Sequence, residues 1–125
     1  MYEYNAKVLR VVDGDTFLLD VDLGFHAHIV EKIRLLGVNT PEKFGVKKGS
    51  DEYKAGVAAS QWVMDQFGAS FNPRGEPIDT DVMVRIVTKR DKQGKYGRYL
   101  ATVYIGESKE SINLKLVDLG YGAEY

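Results

Sequence analysis

Arg34-Leu35-Leu36-Gly37-Val38-Asn39-Thr40-Pro41-Glu42 is the stretch whose reading decides the fold. Ile33, Leu35 and Val38 are aliphatic, and Arg34 alternates between Ile33 and Leu35, so the stretch opens as a strand. It then breaks. Pro41 cannot continue a central ladder and biases Thr40 toward an extended or turn conformation. A buried strand therefore hands over to a fixed turn carrying an arginine, an amide oxygen, a hydroxyl and a carboxylate. Those groups suit a phosphate and a hard metal ion. A strand end with polar punctuation would account for the same residues.

A chain of 125 residues, 44% hydrophobic and 28% charged, fits one soluble globular domain spanning residues 1–125. No apolar run reaches the length of a membrane span. The start, Met1-Tyr2-Glu3-Tyr4-Asn5, lacks the basic and apolar regions of a secretory signal, so the default expectation is cytoplasmic with no membrane partner. The absence of cysteine excludes disulfides and thiolate metal sites. Charge is unevenly spread. Arg85, Lys89, Arg90, Lys92, Lys95 and Arg98 stand against Asp91 alone, a local balance of +5 that leaves −6 for the rest of a chain of net charge −1. A basic segment on an acidic body fits a local polyanion site better than a general nucleic-acid coat.

Outward from the deciding stretch, Ala6–Val12 is rich in branched residues and reads as a first strand. Asp13-Gly14-Asp15 is a tight turn in which Gly14 supplies any positive φ the reversal needs. Thr16–Asp22 alternates, with Phe17, Leu19 and Val21 on one side, and reads as a half-buried second strand. Ala27–Gly37 is the third, completing an antiparallel meander. Ser50 is a good N-cap, followed by Asp51 and Glu52 where a helix dipole favours acids. Ala55, Ala58, Ala59, Trp62, Val63 and Phe67 then recur at helical spacing, which predicts a helix over Asp51–Phe67. Gly68–Thr80 reads as a surface connection, Asp81–Thr88 as a fourth strand and Tyr99–Ile105 as a fifth. Asn113–Leu119 is a short helix stopped by Gly120. Together these predict a mostly-β, α+β fold: a five-stranded OB-type Greek-key barrel with a helix inserted after the third strand and a short C-terminal helix.

Three segments carry chemistry. Asp13-Gly14-Asp15-Thr16 offers two carboxylates on a rigid turn, suitable hard ligands for Ca²⁺ or Mg²⁺, though alone such a turn is more often just a hairpin turn. Arg34 through Glu42 is the second, and Lys95-Tyr96-Gly97-Arg98 the third. Arginine's planar fork can hold two phosphate oxygens at once, which lysine cannot. In this order, with Asn113 and Gly120 in the following helix, the segments resemble the staphylococcal-nuclease-like (thermonuclease) family over nearly the whole chain. The resemblance implies a Ca²⁺-dependent phosphodiesterase acting on DNA and RNA with little sequence preference, releasing the 5′-oxygen. Carried over by position, it implies Asp15 as a direct metal ligand with Asp13 close by, joined by residue 39 and the Thr40 carbonyl. Glu42 would position or deprotonate the attacking water, Arg34 and Arg98 would clamp the scissile phosphate, and Lys95 and Tyr96 would hold its neighbour. The implied partner is nucleic acid, single-stranded DNA or RNA, with the protein a monomer.

The chain departs from that family where Asn39 replaces the usual aspartate, which removes one formal negative charge and predicts weaker calcium binding. Tyr125 and Tyr121 are candidates for the family's base-stacking tyrosine. His26 and His28, two apart on a strand, share a face, but no third ligand accompanies them. The competing reading is a catalytically weak or inactive OB module that binds single-stranded nucleic acid or a protein. The joint retention of Arg34, Glu42, Arg98, Asp13 and Asp15 favours the enzyme.

Overall fold

Twelve residues, Tyr2–Asp13, form β1, and their length organises everything else. The computed structural model describes residues 2–89 and 99–125. β1 pairs antiparallel with β2 (Thr16–Gly24) on one side and with β5 (Met83–Thr88) on the other. Serving two partners requires a bend, and the register of β1 shifts twice against β2, between Val8 and Arg10 and between Val11 and Asp13. At the second shift the Val11 amide donates to the Gly75 carbonyl (2.8 Å). Gly75 has φ +84°, and a Cβ there would lie 2.2 Å from the Val11 carbonyl oxygen, so only glycine fits. β2 pairs antiparallel with β3 (Ala27–Leu35), and β5 with β6 (Tyr99–Ile105). The ring closes in the order β1-β2-β3-β6-β5 through a short parallel contact of three pairs, Ile33–Tyr99, Arg34–Leu100 and Leu35–Ala101.

Phe17, Leu19, Leu35, Ile86 and Val103 fill the barrel and are fully buried. Each contributes about 1.5–3 kcal/mol relative to exposure. The alternation predicted for the second strand holds, with Phe17, Leu19 and Val21 inward. The first strand begins earlier than predicted, because Tyr2–Asn5 pair with Arg85–Thr88 and that cross-strand ladder overrides their weak local signal. The third ends earlier, at Leu35, because Gly37 (φ +79°) turns the chain. Val38–Asn39 then forms a separate two-residue strand, β4, which pairs with β7 (Ala123–Glu124). The fourth predicted strand loses Asp81 and Val82, although Val82 stays buried and its carbonyl accepts from Val8 (2.8 Å).

Helix α1 spans Asp51–Phe67 as predicted, capped by the Ser50 hydroxyl accepting from the Tyr53 amide, and ends at Gly68 in the left-handed region. Its inward face differs from the predicted one. Gly56, Ala59, Ser60 and Val63 are buried, whereas Ala55 and Ala58 are exposed. Small residues face inward because the helix backbone rides directly on two turns of the barrel. A Cβ at Gly56 would come within 2.8–3.0 Å of the Pro41 and Glu42 carbonyl groups. Helix α2 (Ile112–Asp118) is closed by a Schellman arrangement, with Gly120 N donating to Val117 O (3.1 Å) and Tyr121 N to Leu116 O (2.9 Å). Gly120 therefore stops it as predicted, at φ +82°. The 68–80 segment is more than a surface connection, since Phe71 packs on the core and pairs with Pro77. Among the described residues no helix is long and apolar enough to cross a membrane.

Candidate active site

Arg34 stands at the end of β3, beside the ring's closing contact, and its guanidinium is the hub of the site. Nη2 donates to Asn39 Oδ1 (2.7 Å), and Nη1 donates to the carbonyls of Val38 (3.1 Å) and Leu35 (3.3 Å). Nη2 also faces Asp15 Oδ2 at 3.5 Å, and the Tyr125 ring centroid lies 5.3 Å from its central carbon. One planar fork thus ties β3, the turn after it and the β1–β2 turn together.

Asp15 is 6% exposed, a position a carboxylate holds only when compensated. Thr16 Oγ1 donates to Oδ1 (2.9 Å) and the Thr40 amide to Oδ2 (3.0 Å), while the Asp15 carbonyl accepts from the Leu35 amide (2.8 Å). The turn itself corrects the expectation for Gly14. Gly14 is not among the positive-φ glycines; it is required because a Cβ would lie 2.9 Å from Ala59 Cβ and 3.1 Å from Thr40 Cγ2. Glycine here permits close approach of α1, not a left-handed turn.

Thr40 is buried, and its Oγ1 has no hydrogen-bond partner among the described residues. Glu42 is exposed and lines an open cleft of about 500 Å³ with Asn39, Thr40, Glu52 and the Gly120–Ala123 segment. Asp13, at the end of β1, attracts Lys43 electrostatically. Burial pushes the Lys43 ammonium below its ordinary value, and Arg10 adds to that, against the opposing pull of Asp13.

The structure therefore brings Asp15, Arg34, Asn39 and Thr40 into contact, and sets Glu42 on the same cleft as Asn39 and Thr40. Lys95, Tyr96 and Arg98 lie outside the described residues. The basic segment read as one polyanion site is partly committed elsewhere: Arg85 lies over the Tyr104 ring (4.4 Å), pairs with Glu3 (3.3 Å) and donates to the Ser108 carbonyl. His26 is not on a strand but in the β2–β3 turn, where Phe25 and His26 both have positive φ (54° and 64°), and His28 Nδ1 meets Asp20 Oδ1 at 3.1 Å. The two histidines therefore do not share a strand face. Tyr121 is stacked on Trp62 (5.6 Å), whereas Tyr125 is largely exposed.

Asn39 engaged by Arg34, the β4–β7 clip beneath it and Gly56 under the Pro41–Glu42 turn were not foreseen from sequence. Gly56 alone left a signal. A mid-helix glycine sacrifices about 1 kcal/mol of propensity and so hints at a close contact.

As a metal set, the donors are all oxygen, which fits a hard cation. Each Asp15 oxygen accepts one hydrogen bond and keeps lone-pair capacity. The carboxylate count is low: among the described residues no three His, Cys, Asp or Glu side chains are grouped to hold an ion.

Residues 32–125 match the family model described as staphylococcal nuclease homologue. Thermonuclease from Staphylococcus intermedius is 35% identical over 113 residues, 90% of this chain and 55% of its own. An uncharacterized protein from Methanocaldococcus jannaschii is 32% identical, over 98% of this chain and 59% of its own. Endonuclease YhcR from Bacillus subtilis is 34% identical over 98% of this chain but only 9% of its own. The chain spans a little over half the length of the first two.

Proposed function

The chain belongs to the staphylococcal nuclease family, and from that premise we propose that residues 1–125 form one nuclease domain, a monomer that hydrolyses phosphodiester bonds of single-stranded DNA and RNA with little sequence preference. We read the ring as the OB-type Greek key. One observation carries the catalytic reading: a single guanidinium contacts both oxygen donors, Asp15 and Asn39, at the rim of the cleft that Glu42 lines.

Attack on a phosphodiester gathers negative charge on the equatorial oxygens. Arg34 answers that charge with a fork already held by two backbone carbonyls, so it needs little reordering as the charge develops. Engaging the phosphate exchanges the bond to the neutral Asn39 amide for one to an anion. Glu42, exposed on the cleft, takes the proton of the attacking water. The 5′-oxygen leaves and a 3′-phosphate end remains. Arg98 is assigned the second clamp on the scissile phosphate, and Lys95 and Tyr96 the phosphate beside it. Asp15, Asn39 and the Thr40 carbonyl, with Asp13 alongside, would hold Ca²⁺, which would supply Lewis-acid charge stabilisation there. Asp15 is oriented for that duty by Thr16, Thr40 N–H and Arg34.

The test is cleavage of single-stranded DNA across a calcium titration, with Glu42→Ala in parallel. Activity that rises with calcium and collapses in the variant supports the proposal. Binding without cleavage at any calcium concentration would instead assign the domain to the inactive OB modules.

A further inference from the structure

Glu42 lines the catalytic cleft, and the next residue, Lys43, lines a larger cavity of about 830 Å³. Arg10 of β1, Lys43 and Lys48 of the loop before α1, and Arg74 of the 68–80 segment line it, and no acidic residue does. Four cations converge here from three parts of a chain of net charge −1, which concentrates positive field in the cavity.

Three of these cations are held or left available by their surroundings. Arg10 Nε donates to the Arg74 carbonyl (2.7 Å), which fixes the guanidinium at the rim. Arg10 and Lys48 form no ion pair among the described residues, and the Arg74–Glu76 pair is long (3.9 Å) and exposed. The apolar part of the wall includes Phe44, Tyr53 and Phe71. Ser60 on the floor is buried, and its hydroxyl has no hydrogen-bond partner among the described residues. Cations for phosphates and ring faces for bases are what single-stranded nucleic acid requires. Lys43 joins the two regions, adjacent in sequence to Glu42 and drawn electrostatically to Asp13 of the catalytic turn.

We propose that this cavity is a second binding site for the substrate strand, taking nucleotides beyond the scissile phosphate: Arg10, Lys43, Lys48 and Arg74 on the phosphates, and Phe44, Tyr53 or Phe71 against the bases. The inference rests on the nuclease reading for the identity of the strand. It makes the enzyme one that prefers polymer to dinucleotide.

The test measures binding of labelled oligothymidylates, from about two to about twelve nucleotides, by fluorescence anisotropy in EDTA at several salt concentrations. In the native chain, affinity and salt slope both rise with length. In Lys48→Gln/Arg74→Gln the salt slope for the longest oligonucleotide falls by about 1.4, at about 0.7 for each lost phosphate contact, and the loss of affinity grows with length. Lys48→Arg/Arg74→Lys retains the charges and the slope. Should the neutral double variant melt early, Lys48→Gln alone carries the test with half the shift. Equal slopes and equal length profiles in native and neutral variants would overturn the proposal. Binding in EDTA does not require cleavage, so failure to hydrolyse DNA would refute the nuclease reading and leave this measurement to judge the cavity separately.

Discussion

Replacing Gly56 by alanine sets two effects of opposite sign against each other. In a helix interior the change gains about 1 kcal/mol of propensity. At this position the new methyl would sit 2.8 Å from Pro41 O, 2.9 Å from Glu42 O and 3.0 Å from Glu42 C, where ordinary contact begins near 3.4 Å. The obstacles are backbone atoms of the turn that carries Glu42, so no side-chain rotation relieves them, and the turn must retreat by about 0.5 Å. Overpacking of that kind costs about 1–3 kcal/mol, so the fold should range from unchanged to about 2 kcal/mol less stable. Catalysis is more sensitive. A displacement of about 1 Å can cost about 100-fold, so half of that should lower kcat about ten-fold, or about 1.4 kcal/mol in the barrier. The assay is release of acid-soluble nucleotides from single-stranded DNA, paired with a thermal melt. Ala58→Gly, on the exposed side of the same helix, should lose about 1 kcal/mol of stability and leave kcat alone. A Gly56→Ala protein about 1 kcal/mol more stable with unchanged kcat would refute the argument that the helix backbone sets the position of Glu42.

Asn39→Asp restores a formal charge to the donor set and turns the 2.7 Å bond from Arg34 into an ion pair; the calcium concentration for half-maximal cleavage should fall about ten-fold or more, read from the titration. Arg34→Lys keeps the charge but cannot span Asn39, Val38 and Leu35 together; kcat/KM should fall at least about 100-fold, with the melting temperature changed much less. Asn113→Leu leaves the buried Val103 amide and the Leu36 carbonyl without their partner, whereas Ala101 O keeps Leu36 N; at about 1–3 kcal/mol for each of the two orphaned groups the loss is about 2–6 kcal/mol, measurable by urea denaturation. Lys43 has a folded-state value below its ordinary 10.5, so the unfolded chain binds more protons between the two values and stability rises with pH in that alkaline window. Lys43→Met should abolish that rise in melts recorded across the window.

What the sequence made legible follows from where the determining forces lie. Helix α1 could be bounded at both ends because its signals are local: Ser50, then two acids, a periodic face and Gly68. The Tyr99–Ile105 strand was bounded correctly as well, a compact branched and aromatic run. The resemblance implied neighbouring roles for Asp15, Arg34, Asn39 and Thr40, and in the structure two hydrogen bonds and the 3.5 Å Arg34–Asp15 ion pair connect them. The misplacements have non-local causes. The early start of β1 depends on a partner eighty residues away, and β4 exists only because Ala123–Glu124 lies beside it. Ala55 and Ala58 fit the helical period as well as Gly56 and Ser60 do, and only the nearness of the Pro41–Glu42 backbone decides which set turns inward. The role of Gly14 was misread for the same reason: its contact is with Ala59, on an element not yet placed.

The ring's closing contact spans three residue pairs, half as many as the β1–β5 ladder, and Asn113 braces it by donating to Leu36 O on one side and Ala101 O on the other. A closed ring has no free strand edge to offer a neighbour. Parting this seam would create two at once, along β3 and along β6, each ready to pair with the same edge of another molecule. Weakening Asn113 is therefore expected to make the protein stick to itself, with turbidity or exchanged strands at high concentration before the chain is fully unfolded. Because Arg34 sits on one lip of that seam, self-association would take the site out of service along with the fold.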